Sequence, residues 1–222
     1  MTRLAGGGSA GGVTSGSMDG ASSAARFYNP SGIAVSTSGT VYVADTFNHL
    51  IRMISPTGLK FLSTQQSTFC YVQFALLVGV VTRLAGGGSA GGVAAGSVDG
   101  TGSAARFTNP SGIAVSTSGT VYVADTSNNL IRMISPTGLK TLSTQQSIFC
   151  YIQFALLVGD VMRLSGGGSA GGVASGSVDG TGFAAMFNYP YGITVSTSGT
   201  VYVTDNNLIR MISLTGLLAQ YY

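Results

Sequence analysis

Short apolar runs, each ended by a polar turn, follow one another along this chain in a fixed order. In its middle third, Gly112-Ile113-Ala114-Val115-Ser116 is followed by the turn cluster Thr117-Ser118-Gly119. Val121-Tyr122-Val123-Ala124-Asp125 then alternates β-formers and closes on an acid. Asn128 and Asn129 supply the next turn, Leu130-Ile131-Arg132-Met133-Ile134 forms a third run, and Ser135-Pro136-Thr137-Gly138 turns the chain again. Val161-Met162-Arg163-Leu164, and Val81-Thr82-Arg83-Leu84 one unit earlier, read as a fourth strand. Strands of about five residues joined by short Gly-, Asn- and Pro-bearing turns predict an antiparallel meander.

The whole string returns after 80 residues. Arg3 recurs as Arg83 and Arg163, Pro30 as Pro110 and Pro190, and Asp45 as Asp125 and Asp205. Between residues 2–81 and 82–161, 12 of 80 positions differ. The third copy is looser, and its Asp205-Asn206-Asn207-Leu208 lacks two residues between Asp and Asn, which predicts a tighter turn. Self-similarity at a fixed period marks an architecture in which each unit buries its apolar face only against its neighbours. Units 1–80, 81–160 and 161–222 therefore read as one repeat domain.

Composition narrows the function. Charged residues make up 8% of the 222, there is no Trp or Glu, and all seven acids are Asp. So low a charge, with 34 glycines flanking β-branched runs, argues against disorder and for an all-β protein. The net charge of +3 is spread through the units and forms no dense basic stripe. His49 is the one histidine, and Asn129 stands in its place in the second copy, so it reads as a turn residue. Gly86-Gly87-Gly88-Ser89-Ala90-Gly91 contains G-x-G-x-x-G, but no helical pattern opens after it, so it reads as a connector.

Cys70 and Cys150 occupy equivalent positions that neighbouring units hold well apart, and they read as buried thiols. Each lies in a stretch that the meander does not call for, 59–79 and 139–159. Leu139–Ser143 there reads as an outer strand. The apolar run Phe149–Val158 has 10 residues and contains Gln153, too short and too polar for a bilayer helix, so no membrane span is expected. An added edge strand or a short buried helix fits it better.

Pro-Ser-Gly-Ile-Ala-Val, then Gly-Thr-Val-Tyr-Val-Ala-Asp-Thr, then Asn-x-Leu-Ile-Arg resembles the NHL repeat, the blade unit of a β-propeller. Asp99-Gly100-Thr101-Gly102-Ser103-Ala104-Ala105-Arg106-Phe107 and Asn109-Pro110 resemble that family's connector between blades. The resemblance implies an all-β fold of three blades, where family members close with about six. A homodimer completing a six-bladed ring, or a longer array, would cover the open ends. Thr2-Arg3-Leu4 and Leu217-Leu218-Ala219-Gln220 both read as fourth-strand segments, the phase that strand exchange would use. Phe27, Phe107 and Phe187 read as wedges between adjacent blades.

Candidate contact residues are the repeat-equivalent polar groups. Asp45, Asn48, Asp125, Asn128 and Asp205 lie at the turns after the second strands, and Arg52, Arg132 and Arg210 on the third strands. As a ring of carboxylates around a propeller mouth, the aspartates would suit a basic peptide; alternatively each accepts hydrogen bonds from its own turn. The arginines would suit phosphate, and the resemblance implies an RNA-binding reading through Arg52, Arg132 and Arg210. No catalytic residue, metal site or cofactor is expected, since a lone histidine and the absence of Glu leave neither a repeated triad nor a His-rich zinc site. The leading expectation is a non-catalytic binding scaffold that recognises a protein or peptide through one propeller face.

Overall fold

The computed structural model describes residues 2–9, 12–56, 58–64, 71–77, 79–135, 159–168 and 172–213, with backbone alone for 58–64 and 71–77. Fifteen strands follow in chain order among them. The first unit holds β1 (Gly20–Ala21), β2 (Pro30–Val35), β3 (Val41–Asp45), β4 (Leu50–Ile54), β5 (Gly58–Thr64), β6 (Tyr71–Leu77) and β7 (Val80–Gly86). The second holds β8 (Gly100–Thr101), β9 (Pro110–Val115), β10 (Val121–Asp125), β11 (Leu130–Ile134) and β12 (Asp160–Gly166). The third holds β13 (Pro190–Val195), β14 (Val201–Asp205) and β15 (Leu208–Ile212).

Each meander closes into one blade. The sheets run β1-β7-β4-β3-β2, β8-β12-β11-β10-β9 and β13-β14-β15, all antiparallel, so the fold is all-β with propeller-type blades and the sheets do not close into a ring. In the stretch that the meander does not call for, β5 and β6 pair antiparallel as a two-stranded sheet of their own. The described part of the first apolar run is thus a strand, not a helix, and it pairs with β5 and not with the blade edge. Its copy at 139–158, with Cys150, lies outside the described residues, as do Cys70 and Leu217–Gln220. No described helix is long and apolar enough to cross a membrane.

Alternation along the strands decides how the blades stack. Tyr42, Ala44, Ile51 and Met53 of the first blade meet Ile113, Val121, Val123 and Ile134 of the second in one cluster. Tyr122, Ala124, Ile131 and Met133 repeat the contact against Val201, Val203, Ile193 and Ile212 of the third. Phe107, fully buried, wedges into the first interface and Phe187 into the second, as the sequence reading expects of them. The two ends of the stack lack this cover. Ile33 is 66% exposed where its equivalent Ile113 is 6%, and Ile209 is 76% exposed where Ile131 is 0%.

The inner strands approach almost backbone to backbone. A Cβ on Gly32 would lie 2.1 Å from the Ser111 carbonyl oxygen, and one on Gly112 the same distance from that of Tyr191. Hydroxyls fix this approach. Ser31 Oγ donates to Ser111 O at 3.1 Å and Thr46 Oγ1 to Pro110 O at 2.8 Å. One blade on, Ser111 Oγ donates to Tyr191 O at 3.0 Å and Thr126 Oγ1 to Pro190 O at 2.7 Å.

The third blade departs from this pattern. Its β14–β15 connection is a two-residue turn, Asn206 with φ 50° and Asn207, between the paired Asp205 and Leu208, as the deletion predicts. The threonine of the longer turn is therefore gone. Tyr191 also replaces the inner-strand serine.

Gly112→Ala should destabilise the chain by about 1–3 kcal/mol, the range for overpacking, because its methyl meets backbone that cannot turn aside. Gly192→Ala, whose nearest neighbour would be the Thr204 hydroxyl at 3.0 Å, should cost less. Urea denaturation of both variants checks the order.

Candidate functional site

The repeat-equivalent polar residues gather into one cluster per blade, at the inner end of the β3–β4, β10–β11 or β14–β15 hairpin. In the second blade, Arg132 Nη1 donates to Asp125 Oδ2 at 3.0 Å and Nη2 to Asp99 Oδ1 at 2.6 Å. The same guanidinium reaches the carbonyls of Arg106 and Val98 at 3.1 and 2.9 Å. Its plane lies over Phe107, 5.1 Å from the ring centroid. Asp125 also accepts from Thr108 N at 2.8 Å and from Asn128 Nδ2 at 2.8 Å, and Asn128 Nδ2 donates to Gly96 O as well. One arginine thus fastens a strand pair to a connector that lies about thirty residues upstream in sequence.

The first blade repeats the geometry. Arg52 bridges Asp45 at 2.9 Å and Asp19 at 2.6 Å, Asn48 donates to Asp45, and Tyr28 N donates to Asp45 Oδ1 at 2.7 Å. In the third, Arg210 bridges Asp205 at 2.9 Å and Asp179 at 2.8 Å, and Asn188 N completes Asp205 at 2.6 Å.

The cluster is buried. Asp45, Arg52, Asp125, Arg132 and Asp205 have no exposed surface, Asn48 and Asn128 very little, and the Arg210 side chain 10%, while the connector aspartates Asp19, Asp99 and Asp179 reach solvent. Burial pushes the Asp125 carboxyl up to about 6 and Asp45 up as well, against the lowering pull of Arg132 or Arg52 and of the Asn and backbone donors. The structure therefore brings all eight expected contact residues together in threes and twos, but inside the blades. The aspartates do not ring a mouth, and their donors come from the connector and the arginine as well as from their own turn. The arginines do not form a basic face. Their Nη groups already meet protein acceptors, and the buried Nε of Arg52 and Arg132 faces no solvent, so a phosphate could take them only by dismantling the blade.

His49 and Asn129 serve the blade junctions. Both sit in the left-handed region that ends the short turn, with φ 57° and 56°. Asn109 N donates to His49 Nδ1 at 3.1 Å, and Tyr189 N to Asn129 Oδ1 at 3.0 Å. Desolvation holds the His49 pKa below the usual histidine value.

The face carrying these hairpin turns has a feature that the sequence reading missed. Tyr28 and Phe47 are each about half exposed and meet edge to face, 5.1 Å apart at 89°. Tyr189, at 63% exposure, lies beside the Asn129 turn on the same face. The signal was present in the repeat comparison: Tyr28 and Phe47 face each other where the second copy has Thr108 and Ser127, so two of its 12 differences form one contact.

The NHL repeat family matches residues 27–52 and 107–132, the segments that run from wedge phenylalanine to clamp arginine. These are NHL repeats. Over 119 residues the chain is 29% identical to the protein Suppressor of Quenching 1, chloroplastic, of Arabidopsis thaliana, covering 54% of this chain and 9% of that one. The blades of this chain superpose on crystal structures of auxiliary nutrient binding proteins from Bacteroides thetaiotaomicron (TM-score 0.55, 22% identity) and Bacteroides ovatus (TM-score 0.55, 18% identity). These alignments cover 82% and 86% of this chain and 36% and 38% of the others. The chain spans less than half the length of each of these relatives, and at such identities the structural likeness shows the fold.

Arg132→Met should destabilise by about 3–5 kcal/mol, because it strands Asp125 as a buried charge. Arg210→Met should cost less, since Asp179 is 96% exposed; thermal unfolding of the two variants compares them. For His49 the folded pKa lies below the unfolded value. Its contribution is therefore complete above about pH 6.5 and shrinks as the pH falls. The stability advantage of wild type over His49→Asn should decline between pH 7.5 and 5, by up to about 1 kcal/mol, the worth of one hydrogen bond. Urea titrations at several pH values read this.

Proposed function

We propose that this chain is a non-catalytic scaffold that binds a protein or peptide through the face formed by the turns at 46–49, 126–129 and 206–207. The observation that carries this reading is the exposed Tyr28–Phe47 pair on that face. Large aromatic side chains cost little conformational entropy to fix and are enriched among the residues that dominate binding energy at protein interfaces. Tyr189, beside the Asn129 turn, extends the same face. The buried clusters beneath hold the turns rigid, which lowers the ordering cost of binding.

Residues that the expected site named thus act under the surface, and the contact role passes to aromatics beside them. An extended segment with one or two apolar side chains is the partner that such a face suits. No reaction is assigned to it, since the acids at the hairpin ends are committed to arginine.

Selection of a random peptide library on the purified chain and on Tyr28→Thr/Phe47→Ser tests this. That double variant installs the residues which the second blade already tolerates, so it should fold. Peptides enriched on wild type should lose at least tenfold in affinity on the variant. Equal binding to both would sink the role of the aromatic face. A filter-binding assay with single-stranded RNA covers the other reading: retention that falls steeply with salt would favour nucleic acid instead.

A further inference from the structure

The third blade stops one strand short among the described residues. In the first blade β7 is the outer strand. It pairs with β4, Met53 opposite Thr82 and Ile54 opposite Val81, and with β1 on its other side. Arg83 N donates to Asp19 Oδ2 at 3.1 Å. β12 does the same in the second blade, with Arg163 N on Asp99 Oδ2 at 3.1 Å. In the third blade the matching edge of β15 faces an open groove of about 990 Å³ between β12, the connector at 177–187 and β15. Asp179 stands at its rim with Oδ1 on Arg210, and no described N–H meets its Oδ2. Its side chain is 96% exposed, against 48% and 50% for Asp19 and Asp99.

At the other end of the stack lies a segment with an outer-strand sequence that no described strand pairs with. Thr2-Arg3-Leu4-Ala5-Gly6 repeats Thr82-Arg83-Leu84-Ala85-Gly86 residue for residue. It is already seated as β7 is seated on its own following blade. Arg3 Nη1 donates to Ser9 O at 3.1 Å, as Arg83 Nη1 does to Ser89 O at 2.9 Å. Gly8 N donates to Ala25 O as Gly88 N does to Ala105 O. Leu4 lies with Ile54 beside Gly79, as Leu84 lies with Ile134. Yet Leu4 is 49% exposed where Leu84 is 7%. Nothing described pairs with the far side of this segment. The neighbouring rear face shows Ile33 and Val35, at 66% and 60% exposure.

Each end therefore supplies what the other lacks. We propose that two copies of this chain associate head to tail, the segment Thr2–Gly6 of each completing the third blade of the other. Transfer of the β4–β7 register places Gly6 opposite Leu208, Ala5 opposite Ile209, Arg3 opposite Arg210 and Thr2 opposite Met211. Arg3 N then donates to Asp179 Oδ2. The exposed forward side chains of the third blade, Tyr202, Ile209 and Met211, cover Ile33 and Val35, which continues the packing of the two internal interfaces. Added main-chain pairing gives such an edge its affinity, and the repeated side chains give it register. One two-fold axis makes both junctions at once, so both open blade ends are covered and the outer edge of β15 is paired, and the assembly stops at two.

Light scattering after size exclusion should give a mass near twice 22.4 kDa for the wild-type chain. In a Cys70→Ser/Cys150→Ser background, Thr2→Cys/Met211→Cys should oxidise to a dimer-sized band that reductant collapses, since opposed strand residues bring their Cα atoms within disulfide reach. Arg3→Pro, which removes the N–H meant for Asp179, should raise the dimer dissociation constant at least tenfold. A wild-type monomer would overturn the proposal. So would a disulfide that closes within one chain, a dimer that fails to cross-link at these positions, or a ladder of longer oligomers.

Discussion

A buried arginine held between two aspartates is the contact on which each blade depends. Arg132 joins Asp125, at the end of β10, to Asp99 in the connector, and it occupies the carbonyls of Val98 and Arg106 on the way. Stacking on Phe107 sets the wedge that fills the gap between blades. Without this clamp the connector, rich in glycine and short of apolar groups, has little reason to lie across the strands. A buried charge pair is rarely the cheapest way to stabilise a core, but removing one partner is costly, so the arrangement favours one geometry strongly. That is a useful property in a unit that must stack on copies of itself.

Stacking has its own requirement, a close approach of inner strands that only glycine permits. Gly32 and Gly112 leave room for the next blade's carbonyl, and the hydroxyls of Ser31, Thr46, Ser111 and Thr126 seize it. The third blade has dropped both hydroxyl positions, with Tyr191 for serine and a shortened turn for threonine. It keeps Gly192, where the atoms nearest an added Cβ belong to the side chain of its own Thr204, the hydroxyl at 3.0 Å. Its forward face thus meets a neighbour, where it meets one, through Tyr202, Ile209 and Met211 more than through inner-strand hydrogen bonds.

Much of this was legible in the chain. Alternation in Val121–Asp125 and its copies placed the strands, and the two missing residues before Leu208 foretold the tight Asn206–Asn207 turn. The clamp was misread as surface because its parts look like strand ends when taken singly. Burial follows from Asp19, Asp99 and Asp179, about thirty residues upstream of the arginines, and no local pattern reports a contact of that range. Their recurrence in step with Arg52, Arg132 and Arg210 was the available hint. The Tyr28–Phe47 contact escaped for a related reason: each residue looks like an isolated loop change until the fold brings the two loops together. The pairing of β5 with β6 escaped because Leu59–Ser63 resembles an ordinary outer strand of a blade.

The account makes the connector an integral part of each blade, held by carboxylates that accept backbone N–H groups. Native-state hydrogen exchange at the amides of Tyr28 and Thr108 tests this most directly, because these donate to Asp45 and Asp125. They should exchange only with global unfolding, as slowly as the central amides of β3 and β10. Exchange as fast as in the exposed turns at 36–40 and 116–120 would mean that the connector opens by itself and that the buried clusters do not hold the blade.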